Sequence, residues 1–327
     1  MKELIASFTN HLRTAIDISE SVDLGQLIEE VANIVILGMG GSGIGGTVAA
    51  QILSDEIKVP IISCKDYNIP AFVSGKSMII VSSFSGNTEE TLIALEQAEQ
   101  ITSNIYCICS GGKLEIKAKS NGYKCIIIPG GIPPRAAFGL SIPQLFKIFS
   151  HNNLIEWDNR DQFEKCIRLI ENNIEEIQDK AMNLAKEIND KRVIIYAQTD
   201  FEGVCIRFRQ QLNENSKKLC WHHTFPEMNH NELVGWKEKN EALAVIILRN
   251  EDDFSRNQTR MELSKEILHQ YTKNIFEVNS QGNSKLEKSL YLIHFCDWVS
   301  AYVADINGTD PIEIEVINYL KGSLEKS

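Results

Sequence analysis

The chain has 327 residues, with 33 Lys plus Arg against 44 Asp plus Glu and a formal charge of −11, which argues against nucleic acid as a partner. Hydrophobic residues at 43% and charged residues at 24% are the balance of a soluble globular protein and exclude a disordered chain. The length suits one large or two ordinary domains, and every apolar run is broken well before the roughly 18 residues of a membrane span.

The opening segment, MKELIASFTNHLRTAIDISES, lacks the apolar stretch behind a basic one that marks a signal peptide, so a cytoplasmic protein is expected. The cysteines at 64, 107, 109, 125, 166, 205, 220 and 296 form no C-x-x-C pair and are expected to be reduced core thiols.

Short β-branched runs then alternate with helical patterns. NIVILG (33–38), VPIISC (59–64), SMIIVSS (77–83), NIYCICS (104–110) and YKCIIIP (123–129) each suit a buried strand. Helical spacing lies between them in TVAAQILS, ETLIALEQAEQ and LEIKAKS. Together they predict a doubly wound parallel α/β sheet with helices on both faces, closed by a helix over about 135–150. The polar, amphipathic stretch from 151 to about 190 predicts a helical bridge. RVIIYA (192–197), KLCWH (218–222), EALAVIIL (241–248) and NIFEVN (274–279) then predict a second sheet of the same plan. The expected domains are therefore 1–150 and 151–327.

Two loops of the first half carry ligand signals. In GMGGSGIGG (38–46), Gly38, Gly40 and Gly43 fit G-x-G-x-x-G, which suits a dinucleotide, a phosphate or the edge of a sugar, or a tight turn holding nothing. In SSFSGNTEET (82–91), Ser82, Ser83, Ser85 and Thr88 place more hydroxyls at a helix start than a cap needs, predicting a phosphate cradle. That cradle competes with the dinucleotide reading, whose pyrophosphate loop follows the first strand. Arg135, just past the fifth strand, lies at the carboxyl edge where such sheets bind ligands; an ordinary surface ion pair is the alternative. His222, His223 and His230 fit no standard zinc spacing, so no metal is expected.

GMGGSGIGG followed by SFSGNTEET resembles the sugar isomerase fold. GGIPPRAAFG (130–139), NENSK (213–217), FPEMNHNELVGW (225–236) and GTDPIEIEVINYLK (308–321) are similar, in order and spacing, to the bifunctional phosphoglucose/phosphomannose isomerases of bacteria and archaea, and the resemblance covers nearly the whole chain. It implies an aldose–ketose isomerase acting on glucose 6-phosphate, fructose 6-phosphate and mannose 6-phosphate through a cis-enediol, without metal or organic cofactor. Glu214 matches the family's base. His230 matches the histidine that assists ring opening from the neighbouring subunit, which implies a homodimer with shared active sites. Lys321 matches the family's C-terminal active-site lysine, and Arg135 the arginine that stabilises the enediolate. Gly41, Ser42, Ser83, Ser85 and Thr88 match sugar and phosphate contacts.

Without the resemblance, Glu214 and Lys321 read as solvated helix residues. The second half has a single glycine in YAQTDFEGVC and acids in LRNEDDFSRNQ, so it is expected to supply base, lysine and dimer surface rather than a second phosphate site. A non-catalytic sugar-phosphate regulator of the same fold would bring a basic recognition helix, which the N-terminal segment does not offer. A nicotinamide-dependent oxidoreductase would want an acid ending the second strand; Asp66 is nearly placed, but Lys65 stands beside it.

Overall fold

The structure, a computed structural model, describes residues 1–28, 30–324 and 326. Two short helices, α1 (Lys2–Ala6) and α2 (Phe8–Ser21), lead into β1 (Asn33–Leu37), α3 (Gly40–Ile52), β2 (Ile61–Cys64), β3 (Ser77–Ser82), α4 (Glu89–Ala98), β4 (Ile105–Cys109), α5 (Gly112–Asn121), β5 (Lys124–Ile127) and α6 (Phe138–His151). After α7 (Asn159–Asn172) and α8 (Ile174–Ile188) come β6 (Arg192–Gln198), α9 (Glu202–Ser216), β7 (Trp221–Phe225), β8 (Leu243–Arg249), α10 (Ser255–Leu268), β9 (Ile275–Asn279), α11 (Lys285–Asn307) and α12 (Glu315–Leu324).

The first sheet runs β2-β1-β3-β4-β5 and the second β7-β6-β8-β9, and every pairing is parallel. The α/β architecture with two parallel sheets is the expected one. Burial explains the strand order. Ser77–Ser82 is buried at every position and so occupies the middle of its sheet, whereas β2 and β5 at the edges are only partly covered. In the first sheet the order reverses between β1 and β3, and in the second between β6 and β8. A crevice opens at each such point, outside the carboxyl ends of the strands. The glycine loop and the hydroxyl loop flank the first crevice.

Three details differ from the sequence reading. The N-terminal segment is helical, with Phe8, Leu12, Ala15, Ile16 and Ser19 forming one 3.6-period face that packs on α6 and α7. The expected bridge is two helices whose apolar faces join one core with both halves, for Phe146, Phe163, Ile195 and Trp298 belong to a single buried cluster. The strand expected at 218–222 lies at Trp221–Phe225. Residues 217–220 are spent turning the chain out of α9: Lys217 is left-handed (φ +54°) and the Lys218 N–H donates to the Leu212 carbonyl (3.1 Å).

α11 is buried on all sides from Leu286 to Ala304 and is sheathed by α7, α8 and α9. It starts at a capping box, Ser284 with Glu287. Its His294 is fully buried, stacked on Phe8 (5.3 Å), and accepts a hydrogen bond from Trp298 Nε1 (3.1 Å). Burial, with Arg207 nearby, pushes the imidazole down to about 3. Below the ordinary pKa near 6.5 the unfolded chain therefore takes up a proton that the folded chain refuses, so stability falls as pH drops from about 6.5 towards 3. Urea unfolding at pH 7 and pH 5 should show the parent losing about 2 kcal/mol more than His294→Phe. Equal losses would contradict a neutral buried imidazole.

No helix among the described residues is long and apolar enough to cross a membrane, and all eight cysteines are free.

Candidate active site

The glycine loop is shaped by close approach. A Cβ on Gly41 would stand 3.0 Å from the Arg135 backbone nitrogen, so the glycine lets the start of α3 lie directly against the Pro134–Ala136 turn that carries Arg135. Ser42 ties this loop to the next. Its hydroxyl accepts the Phe84 N–H (2.9 Å), and its carbonyl accepts from Ser82 Oγ (3.2 Å).

In the hydroxyl loop, Gly86 has φ +66° and its missing Cβ would sit 1.8 Å from the Gly111 carbonyl oxygen, so only glycine fits. Ser83 is buried and donates to Thr88 Oγ1 (3.0 Å). Ser85 is exposed, and its hydroxyl accepts the Asn87 N–H (3.2 Å). Thr88 is the N-cap of α4 but its side chain caps no N–H. The first-turn amides of α4, which have no partner within the helix, therefore face the same loop as three hydroxyls, an arrangement suited to an anion.

α3 also positions the second half, because it crosses α9. Gln51 makes the join: its Oε1 accepts the Gly203 N–H (2.7 Å) and its Nε2 donates to the Thr199 carbonyl (2.9 Å). At the far end of α9, Glu214 and Asn215 reach Arg135. The guanidinium is 3% exposed; Nε donates to Asn215 Oδ1 (2.8 Å), Nη1 to Glu214 Oε2 (3.2 Å) and Nη2 to the Pro311 carbonyl. Burial pulls Arg135 below its ordinary range, opposed by the charges of Glu214 and Asp310. Glu214 keeps 28% of its side chain exposed. A buried cation fixed beside an accessible carboxylate can stabilise a developing oxyanion while the carboxylate exchanges a proton.

Behind this pair lies a buried scaffold. Arg207 stacks over Phe138 (4.6 Å) and donates to the Arg135 carbonyl (3.1 Å) and to Asp297 (2.5 Å). Gln211 holds the other Asp297 oxygen (2.8 Å), and Asn215 donates to Ser300 (2.9 Å). Burial pushes the Asp297 carboxyl up, with Arg207 and Gln211 opposing. A guanidinium and a carboxylate this deep are costly to unpair, so Arg135 is held through both its backbone and its side chain.

Of the expected site residues, Gly41, Ser42, Ser83, Ser85, Thr88, Arg135 and Glu214 lie on these adjoining loops and helix ends. His230 and Lys321 are not tied to them within one chain. Among the described residues, neither is hydrogen-bonded or ion-paired to Arg135 or Glu214; His230 is exposed in a turn after β7, and Lys321 is exposed on α12. His223 Nδ1 accepts the Thr224 N–H, while His222 lies 3.6 Å from Glu202. Among the described residues no cluster of three or more His, Cys, Asp or Glu could hold a metal ion. Sequence reasoning missed Asn215, Arg207, Asp297 and Lys217. Asn215 and Lys217 stand inside the NENSK motif, and Arg207 lies seven residues before Glu214, two turns back on the same helix face, which was an available signal.

Residues 177–324 match a family described as the bacterial phospho-glucose isomerase C-terminal SIS domain. The bifunctional phosphoglucose/phosphomannose isomerase of Caldicellulosiruptor bescii is 34% identical over 99% of this chain and 98% of its own. That of Aquifex aeolicus is 33% identical over 93% and 94%. Among solved structures, the C-terminal domain of glucosamine-fructose-6-phosphate aminotransferase from Francisella tularensis superposes with a TM-score of 0.79 at 16% identity, covering 96% of this chain and 98% of that one. That likeness establishes the sugar isomerase fold.

Proposed function

Since the chain belongs to the family of bifunctional phosphoglucose/phosphomannose isomerases, we propose that it interconverts fructose 6-phosphate with glucose 6-phosphate and mannose 6-phosphate. The observation that carries the chemistry is the partly exposed Glu214 carboxylate held on the buried Arg135 guanidinium, beside the glycine loop.

The division of labour follows the two halves, 1–150 and 151–327. The first half binds the phosphate at Ser83, Ser85, Thr88 and the start of α4, and the sugar along Gly41 and Ser42. The second half brings the base. With the ring open, Glu214 removes a proton from C2 of the aldose, exchanges it with solvent and delivers a proton to C1 as the hydroxyl proton passes from O2 to O1, while Arg135 neutralises the enediolate oxygen. Rotation about C2–C3 of the enediol presents either face to the same carboxylate, which lets one site serve both aldose epimers. His230 handles the ring-oxygen proton, since an imidazole can donate at one ring nitrogen and accept at the other, and Lys321 completes the cation set.

His230 completes the site from a second copy of the chain. The supporting observations are its exposure and the apolar surface of α12, where Val316, Ile317, Tyr319 and Leu320 all face solvent; a patch of this kind on a terminal helix suits a subunit contact. Eight unpaired thiols support a reducing compartment, the cytoplasm. The hydroxyl loop after β3 and the carboxylate at Arg135 are unexplained by a nicotinamide-dependent oxidoreductase, and a sensor would have no use for a base.

A coupled assay with each aldose phosphate tests the reading. Turnover of both, unchanged by a chelator such as EDTA, is expected; activity lost to EDTA and restored by zinc would transfer the chemistry to a metal.

A further inference from the structure

Lys217 closes α9 in a conformation that lysine seldom adopts, with φ +54° and ψ 34°. Residues with a Cβ pay for the left-handed region, and glycine and asparagine are the usual occupants. Here the cost is set against an unusual use of the side chain. Its Nζ donates to the carbonyls of Glu214 (2.7 Å), Asp310 (2.8 Å) and Glu313 (2.8 Å). An ammonium has three N–H groups, and all three are spent on backbone.

Two of those carbonyls belong to the loop that follows α11. That loop is bent at Asp310, whose carboxylate accepts the Ile312 N–H (2.8 Å), and its Pro311 carbonyl accepts from Arg135 Nη2. The third carbonyl is that of Glu214 itself. Lys217 thus bridges the helix end bearing the carboxylate and the loop bearing the third partner of Arg135.

We propose that Lys217 is a positioning residue for isomerisation: its ammonium clamps residues 310–313 to the end of α9 and so fixes Arg135 and Glu214 relative to each other. The proposal rests on the assignment of those two residues to the chemistry. A looser loop lets the guanidinium drift from the Glu214 side of the site, and displacements of about 1 Å in such a pair cost on the order of a hundredfold in rate. The phosphate loops lie in the other half of the chain, so binding is little affected.

The test separates the ammonium from the backbone. Lys217→Gly and Lys217→Asn remove the clamp while suiting the left-handed position, so a helix-capping role alone predicts that they are neutral or stabilising. The clamp predicts a fall in kcat of about ten- to a hundredfold with KM within about twofold, and recovery of most of the loss in Lys217→Arg. Asp310→Ala, which leaves Lys217 in place but removes the bend in the loop, should lower kcat in the same sense. Wild-type kcat in the Gly and Asn variants overturns the proposal, as does a loss of folded protein with an unchanged rate per folded molecule. Glu214→Gln is run in parallel. If it is inactive while Lys217→Gly is not, the clamp fails and the base assignment stands. If Glu214→Gln turns over normally, there is no base to position and both fall.

Discussion

Glu214→Gln is expected to lower kcat for fructose 6-phosphate by roughly 10²–10⁴-fold, the usual contribution of a positioned acid–base group. The substitution keeps the side chain's shape, and its amide oxygen can still accept from Arg135 Nη1, which in the parent lies 3.2 Å from Glu214 Oε2. What it cannot do is carry a proton between C1 and C2. Calorimetric binding of a non-isomerisable sugar phosphate should stay within a few fold of the parent, because the phosphate is assigned to Ser83, Ser85, Thr88 and the amides of α4, in the other half of the chain. A variant with near-normal turnover would remove Glu214 from the mechanism. One that loses binding in step with turnover would make it a structural partner of Arg135.

Mixing two inactive variants should restore activity. If each site takes Glu214 from one chain and His230 from its partner, His230→Ala and Glu214→Gln chains unfolded together and reassembled pair at random, and about half the dimers are mixed. In a mixed two-fold dimer one site carries both lesions and the other neither, so about a quarter of all sites are intact. Recovery of about a quarter of the parent activity is the expected result. Within one chain, His230 makes no hydrogen bond or ion pair with Arg135 or Glu214 among the described residues, which motivates the experiment. If every chain builds its own site, each site keeps one lesion and mixing restores nothing, which would refute the shared site while leaving the isomerase reading intact.

Much of the fold was legible because central parallel strands are buried on both faces and so read as near-continuous apolar runs, as the MIIV core of Ser77–Ser82 does. The strand at Trp221–Phe225 was misplaced because α9 ends in a left-handed lysine, a geometry with no sequence marker when the residue is neither Gly nor Asn. The two ligand loops were visible through their glycines and hydroxyls, whose needs are local. Arg135 with Glu214 was not visible as a pair. Its members stand 79 residues apart, and only the resemblance put them in one site. The scaffold behind them was hidden for the same reason: Arg207 and Asp297 lie on different helices, 90 residues apart, and each alone reads as a solvated charge. Long-range polar pairs leave no periodicity, so chain order reveals the cradle for the phosphate but not the support of the base.

Proton transfer by Glu214 through an enediol is read out by running the reaction from fructose 6-phosphate in deuterium oxide and following the sugar phosphates by NMR. Deuterium is expected at C2 of the glucose 6-phosphate and mannose 6-phosphate formed, with solvent exchange at C1 of the recovered fructose 6-phosphate and loss of both in Glu214→Gln. Isomerisation at full rate with no solvent deuterium in any product, or exchange that persists undiminished in Glu214→Gln, would remove Glu214 as the base of an enediol mechanism.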